Sequence, residues 1–217
     1  MYVKAFAKIN LYLDVLGNAE NGYHNLDMVM LPLELHDTIE LERVPRSTVT
    51  HIISDTVQTQ SFNSNLIYRT HELLKEQYGF DCNFIIKVHK EIPIYARMGG
   101  GSTNAAAVLK AFNKYGKIKM EEDEQTKFCL KLGADVPFSM KNVPAHVTGI
   151  GENVEPITLG KQFSVLVIKP KEGLSTKRVF EASDNFKLKH GNVNKVIEAL
   201  EKADEDMLSE YMFNSLE

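Results

Sequence analysis

Glu91-Ile92-Pro93-Ile94-Tyr95-Ala96-Arg97-Met98-Gly99-Gly100-Gly101-Ser102-Thr103-Asn104-Ala105-Ala106-Ala107 runs from an apolar stretch through three adjacent glycines into hydroxyls and an alanine-rich helix start. Consecutive glycines add nothing to packing and cost ordering entropy, so they belong where backbone must approach something closely. The N–H groups of such a loop, with the free N–H groups and positive dipole end of a helix, make an anion site, and phosphate is the anion expected. A Walker A loop would end in Gly-Lys-Ser/Thr, and no lysine follows Gly101. A dinucleotide fingerprint would place glycine or alanine where Gly99-x-Gly101-x-x-Asn104 has asparagine. A glycine-rich turn before an ordinary helix is the reading without a ligand.

Two further segments bear on that choice. Ala5-Phe6-Ala7-Lys8-Ile9-Asn10-Leu11-Tyr12-Leu13-Asp14-Val15 is followed by Asn21-Gly22-Tyr23-His24, and Leu132-Gly133-Ala134-Asp135-Val136-Pro137-Phe138 comes after the glycine loop. Asp135 sits between small residues and Val-Pro-Phe, a turn-forming, apolar setting in which a carboxylate can serve as general base for a hydroxyl. Lys8 interrupts an apolar strand, where a cation can keep Asp135 ionised and stabilise an alkoxide. The plainer readings are an edge-strand lysine facing water, a turn or cap aspartate, and a polar turn tip at Tyr23-His24.

Composition fits an enzyme domain. The 217 residues can bury a substantial core, and a net charge of −4 gives no general attraction to nucleic acid or acidic membranes. Cys82 and Cys129 are too few for a disulfide framework and fit a reducing compartment. No leader or spanning apolar run is visible, because Lys4, Lys8 and Asp14 interrupt the start, so cytoplasm is expected. His36, His51, His71, His89, His146 and His190 lack metal-ligand spacing and read as structural or surface residues.

Alternation predicts strands over the first fifteen residues, Met28 to Leu41, Asn83 to His89 and Phe163 to Ile168. Helices are expected from Ser64 to Tyr78 with Gly79 as stop, from an N-cap at Ser102 or Thr103 to near Gly116, and from Glu121 to Leu132. A short helix near Thr176 to Ala182 and two helical segments after Val193 complete an α+β pattern rather than a βαβ array.

In order and spacing, these motifs resemble the GHMP kinase superfamily: approximately A-P-A-K-I-N-L-x-L-x-V, G-Y-H, I-P-x-x-x-G-L-G-G-G-S-S-[DN]-A-A and G-A-D-V-P-F. Within it they resemble the kinases that phosphorylate the 2-hydroxyl of a cytidyl methylerythritol diphosphate in non-mevalonate isoprenoid synthesis. The likeness extends through Gly149-Ile150-Gly151-Glu152, Lys169-Pro170 and Leu174-Ser175-Thr176. It implies an α+β fold, a two-lobed α/β sandwich with an ATP-binding lobe over 1–155 and the start of a second, incomplete lobe over 156–217. It implies Lys8 and Asp135 as the catalytic pair, and ATP with Mg²⁺ held by Gly99, Gly100, Gly101, Ser102 and Thr103, with Ser102 the candidate metal ligand. Asn65 and Lys90 match positions near the nucleotide, Asn10 contacts substrate beside Lys8, and Tyr23, His24 and Phe180 surround a cytosine ring. The partner implied is a small molecule, not nucleic acid or membrane, and the protein a monomer or homodimer.

Three departures accompany the likeness. Arg97-Met98 replaces the usual Gly-Leu, where arginine could contact phosphate or crowd the loop. Asn104 stands for a common Asp, and the family's C-terminal glycine-rich motif has no counterpart here. A nucleotide-binding relative without turnover, and a kinase of another alcohol, are the competing readings. The intact Lys8 and Asp135 favour an enzyme, and Gly22-Tyr23-His24 favours the cytidyl substrate.

Overall fold

The computed structural model describes residues 1–19, 22–45, 49–55, 64–169, 176–186 and 188–216. Asn21, Pro170, Leu174 and Ser175, which the motif reading used, lie outside them. Two long strands, β1 (Tyr2–Asn18) and β2 (His24–Val44), form an antiparallel hairpin, running from Tyr2 opposite Glu40 to Asn18 opposite His24. The far edge of β2 is shared. Its C-terminal half pairs with β4 (Asn83–His89), which carries β3 (His51–Ser54) in parallel. Its N-terminal half pairs with β5 (Ala145–Gly149), which pairs in turn with β6 (Asn153–Pro156). On its own free edge β1 takes β7 (Phe213–Asn214) in parallel.

Helices α1 (Leu66–Tyr78), α2 (Gly100–Gly116) and α3 (Glu122–Leu132) close the largest core. There Ile39, Leu41, Phe84 and Ile86 from the sheet meet Leu74, Leu109, Phe112 and Phe128. At the other end of β2, alternate residues go to opposite faces, as a pleated strand requires. Val29 and Leu31 join Tyr12 under α6 (Val193–Lys202) and α7 (Glu205–Tyr211). Met28 and Met30 face Phe138 of α4 (Val136–Lys141) and Val147. α5 (Thr176–Ser183) precedes α6.

Buried Asp14 clamps this second core. It accepts hydrogen bonds from the Tyr12 hydroxyl (3.1 Å) and the Gly191 N–H (3.1 Å), and His190 Nδ1 lies 2.9 Å away. Burial and the neighbouring Asp14 charge push the Tyr12 hydroxyl well above the usual tyrosine range.

The α+β class and most expected elements are present, with two differences. α2 begins at Gly100 with Gly99 as its N-cap, so Ser102 and Thr103 lie inside its first turn instead of capping it. Phe163 to Ile168 is not a strand: Leu166 and Ile168 are more than four-fifths exposed. Among the described residues no strand pairs with it, and an extended segment without a ladder partner gains nothing from its β-propensity. Among the described residues no helix is long and apolar enough to cross a membrane.

Cys129, inside α3, is fully buried, and that burial pushes its thiol up to about 12. At neutral pH a thiol reagent should therefore leave Cys129 of the folded protein unmodified and titrate it only in denaturant. Mass mapping of the labelled peptides checks this.

Candidate active site

Three segments distant in sequence meet at Lys8. The β1–β2 ladder breaks between Phe6 and Lys8, so that Lys8 falls opposite Pro32, which has no N–H. With the ladder broken at this point, the Lys8 N–H donates to the Met98 carbonyl at 3.0 Å, pinning the glycine loop to the strand. Its side chain then crosses Gly99. A Cβ placed on Gly99 would stand 2.9 Å from Lys8 Cγ, and Gly99 has φ +70°, so both space and backbone geometry call for glycine there.

Beyond the glycine, the Lys8 ammonium reaches Asp135 Oδ2 at 3.3 Å and donates to Asn10 Oδ1 at 3.1 Å. Asn10 is steadied in turn by its Nδ2 contact to the Met28 sulfur at 3.8 Å. The Lys8 side chain is 8% exposed and that of Asp135 36%, so the lysine is the desolvated member of the pair and the carboxylate faces the open side. An ammonium has three donors, which leaves one for an incoming oxygen.

Asp135 sits at the turn between α3 and α4, where its backbone carbonyl accepts from the Ser139 N–H (3.1 Å) and hydroxyl (2.8 Å). The preceding residues are held from both sides. Ser102 Oγ lies 3.8 Å from the Cβ position of Gly133, and the Ala134 carbonyl occupies the space that a Cβ on Gly151 would need. Gly151, in the loop between β5 and β6, has φ +122°, and neighbouring Glu152 accepts from the Ile150 N–H at 2.6 Å. The Gly149-to-Glu152 turn thus buttresses the Asp135 turn.

The candidate nucleotide residues gather at the start of α2. Leu66, first residue of α1, lies 3.6 Å from the Cβ position of Gly101, and Asn65 caps that helix by accepting from the Ile67 N–H at 2.9 Å. Lys90 Nζ is 3.3 Å from the Cβ position of Gly100 and is ion-paired with Asp37. Thr103 is buried and its N–H donates to the Gly99 carbonyl at 2.9 Å.

His24 and Phe180 form a separate cluster at the β1–β2 turn, with ring centroids 5.0 Å apart and His24 Nε2 2.8 Å from Asp184 Oδ1. Tyr23 is 57% exposed beside them. Sequence reasoning missed Asp37, although it shares the parity of buried Ile39 and Leu41 on β2, a signal that its carboxylate points into the core.

Arg97 does not crowd the loop, because its side chain is exposed. Its backbone, at φ +57°, adopts the left-handed geometry that glycine supplies without strain. Arg97→Gly should therefore be more stable than Arg97→Ala by about 1 kcal/mol in urea unfolding. Gly99→Ala should displace Lys8 and lower kcat about 10²-fold, the scale of an ångström-sized misplacement; steady-state kinetics beside an unfolding curve separate that effect from loss of fold.

The comparisons with known proteins agree with this geometry. Residues 65–149 match the GHMP kinases N-terminal domain. The chain is 39% identical over 218 residues to 4-diphosphocytidyl-2-C-methyl-D-erythritol kinase of Clostridium botulinum (strain Eklund 17B), covering all of this chain and 77% of that one. The Clostridium perfringens kinase of the same name is 37% identical, with 75% of it covered. A crystal structure of 4-(cytidine 5'-diphospho)-2C-methyl-D-erythritol kinase superposes with a TM-score of 0.73 at 29% identity, over 100% of this chain and 75% of that one. With an ion-paired lysine and aspartate set against a glycine loop, and relatives matching along its whole length, the chain belongs to the 4-diphosphocytidyl-2-C-methyl-D-erythritol kinases, small-molecule kinases of the GHMP group.

Proposed function

We propose that this chain transfers the γ-phosphoryl group of ATP to the 2-hydroxyl of 4-diphosphocytidyl-2-C-methyl-D-erythritol, in the cytoplasm, on the non-mevalonate route to isoprenoid precursors. The observation that carries it is the Lys8–Asp135 pair, 3.3 Å apart and placed against Gly99. Asp135 takes the proton of the attacking hydroxyl. The remaining Lys8 donor meets the oxygen as negative charge grows on it, a preorganised contact that strengthens in the transition state. The new O–P bond forms as the bond between the γ-phosphorus and the β–γ bridging oxygen breaks, and ADP leaves. Such a transfer needs positioning and charge neutralisation more than covalent help.

The N–H groups of Gly100, Gly101 and Ser102 in the first turn of α2 are free of helix partners and suit the ATP phosphates. Among the described residues no three acidic, histidine or cysteine side chains converge to hold a cation. Mg²⁺ would thus rest mainly on the phosphates, with the Ser102 hydroxyl beside Gly133 as its protein ligand, and would supply neutralisation of the phosphate oxygens. Asn65 and Lys90 border the nucleotide, and Asn10 the acceptor. His24 and Phe180 already touch, so a cytosine ring stacks against Tyr23 and that aromatic pair instead of slipping between His24 and Phe180 unaided. Residues 1–155 act as the ATP-binding lobe and 156–217 as part of the second.

The test is ATP-dependent phosphorylation of the cytidyl substrate, with the product weighed by mass spectrometry and Asp135→Asn run in parallel. The parent should turn over, and the variant should fall by about 10²-fold or more in kcat, the contribution of a positioned general base. ATP binding without turnover by the parent would identify a nucleotide-binding relative instead.

A further inference from the structure

The segment leading into the glycine loop hangs from one buried carboxylate. Asp37 on β2 is 0% exposed. Its Oδ1 accepts from the N–H groups of Glu91 and Ile92, each at 2.9 Å, and its Oδ2 pairs with the Lys90 ammonium. Three consecutive residues thus bond to one side chain, and the Lys90 backbone N–H is held in addition by Asp55 Oδ1 at 3.1 Å. Two of them form the wall behind the first residue of α2: Lys90 Nζ and Ile92 Cγ2 both lie 3.3 Å from the Cβ position of Gly100. Lys90 itself is nearly buried, its side chain 10% exposed.

This placement is electrostatically unusual. The N-terminal end of a helix carries partial positive charge and repels a cation. A lysine left to itself there would turn to water, regaining hydration and rotamer freedom. Asp37 supplies the counter-charge that keeps the ammonium at that spot. It uses one of the three ammonium donors and leaves the others for a second anion.

We propose that Asp37 is a positioning residue for the nucleotide: it holds the Lys90 ammonium at the start of α2, where the ammonium bridges Asp37 and an ATP phosphate. The inference rests on the kinase reading for the identity of the anion. Asp37 touches no substrate and acts through Lys90.

The variants separate this role from a merely structural one. Asp37→Asn keeps an oxygen for the Glu91 and Ile92 N–H groups and replaces the acceptor and charge facing Lys90 with an amide NH₂. Lys90→Met removes the ammonium, and the double variant removes both charges, so neither is left buried alone. ATP affinity is read by calorimetry on the full chain, with KM for ATP and for the alcohol measured alongside. Asp37→Asn and Lys90→Met should each weaken ATP binding about tenfold, the scale of one charged hydrogen bond, with the KM of the alcohol unchanged within about twofold. The double variant should bind ATP no more weakly than either single one, because the two residues act as one unit.

Parental ATP affinity in Asp37→Asn or Lys90→Met, or additive losses in the double variant, would overturn the proposal. So would equal weakening of both substrates with a lower unfolding midpoint, the mark of a simple tie-down. Should Asp37→Asn not fold, Lys90→Met and the double variant still decide the matter. Since calorimetry needs no turnover, failure to phosphorylate the cytidyl substrate would refute the function proposed above and leave this test standing.

Discussion

The buried ammonium of Lys8 is the interaction on which the rest of the site depends. Moving a charge away from water is costly, and it persists only where partners replace the lost hydration. Asp135 and Asn10 are those partners, and each comes from a different setting, one from the α3–α4 turn and one from the same strand. Satisfying one cation therefore fixes where the α3–α4 turn must sit relative to β1. The backbone of the same residue fixes the glycine loop through Met98. The Asp135 turn and the glycine loop are brought into register by one amino acid, so a shift in either is felt by both.

The architecture uses small residues to permit these approaches. Gly99 lets Lys8 pass, and Gly151 lets the Ala134 carbonyl settle against the β5–β6 loop. Arg97 shows that the left-handed geometry belongs to the loop and not to the residue type. The backbone keeps φ +57° even with a large side chain, and the surrounding contacts must bear the strain. Tyr95, at φ +58°, repeats the pattern two residues earlier.

Much of this was legible in the sequence because it is local. The hydrophobic periodicity of α1 and of Asn83 to His89, the glycine stop at Gly79, and the glycine run before α2 each carry their signal within a dozen residues. The pairing of Lys8 with Asp135 rested on motif order, since nothing in either segment alone says that they touch. What escaped was set by tertiary context. Short β5 and β6 bracket a tight Gly149-to-Glu152 turn; β5 is a strand because β2 offers it an edge, and β6 because β5 does. Phe163 to Ile168 has a strand's composition and no partner strand among the described residues. The start of α2 was placed too late because glycine is a poor helix former, yet the glycines serve as its first turn, with N–H groups open to a ligand.

The parallel pairing of β7 with β1 has a consequence in time. Phe213 and Asn214 cover the edge at Tyr12 and Leu13, and the Val15 N–H donates to Ser215 Oγ across 200 residues of sequence. Synthesis proceeds from the N-terminus at about 5–20 residues per second, so that edge waits roughly ten to forty seconds for its cover to be made. The β1–β2 hairpin can close early, but its outer edge stays open to mispairing with any other extended chain until β7 arrives. The residues that cover this edge are made some 200 positions after the strand they pair with, and the pace of translation sets how long the nascent molecule is vulnerable there.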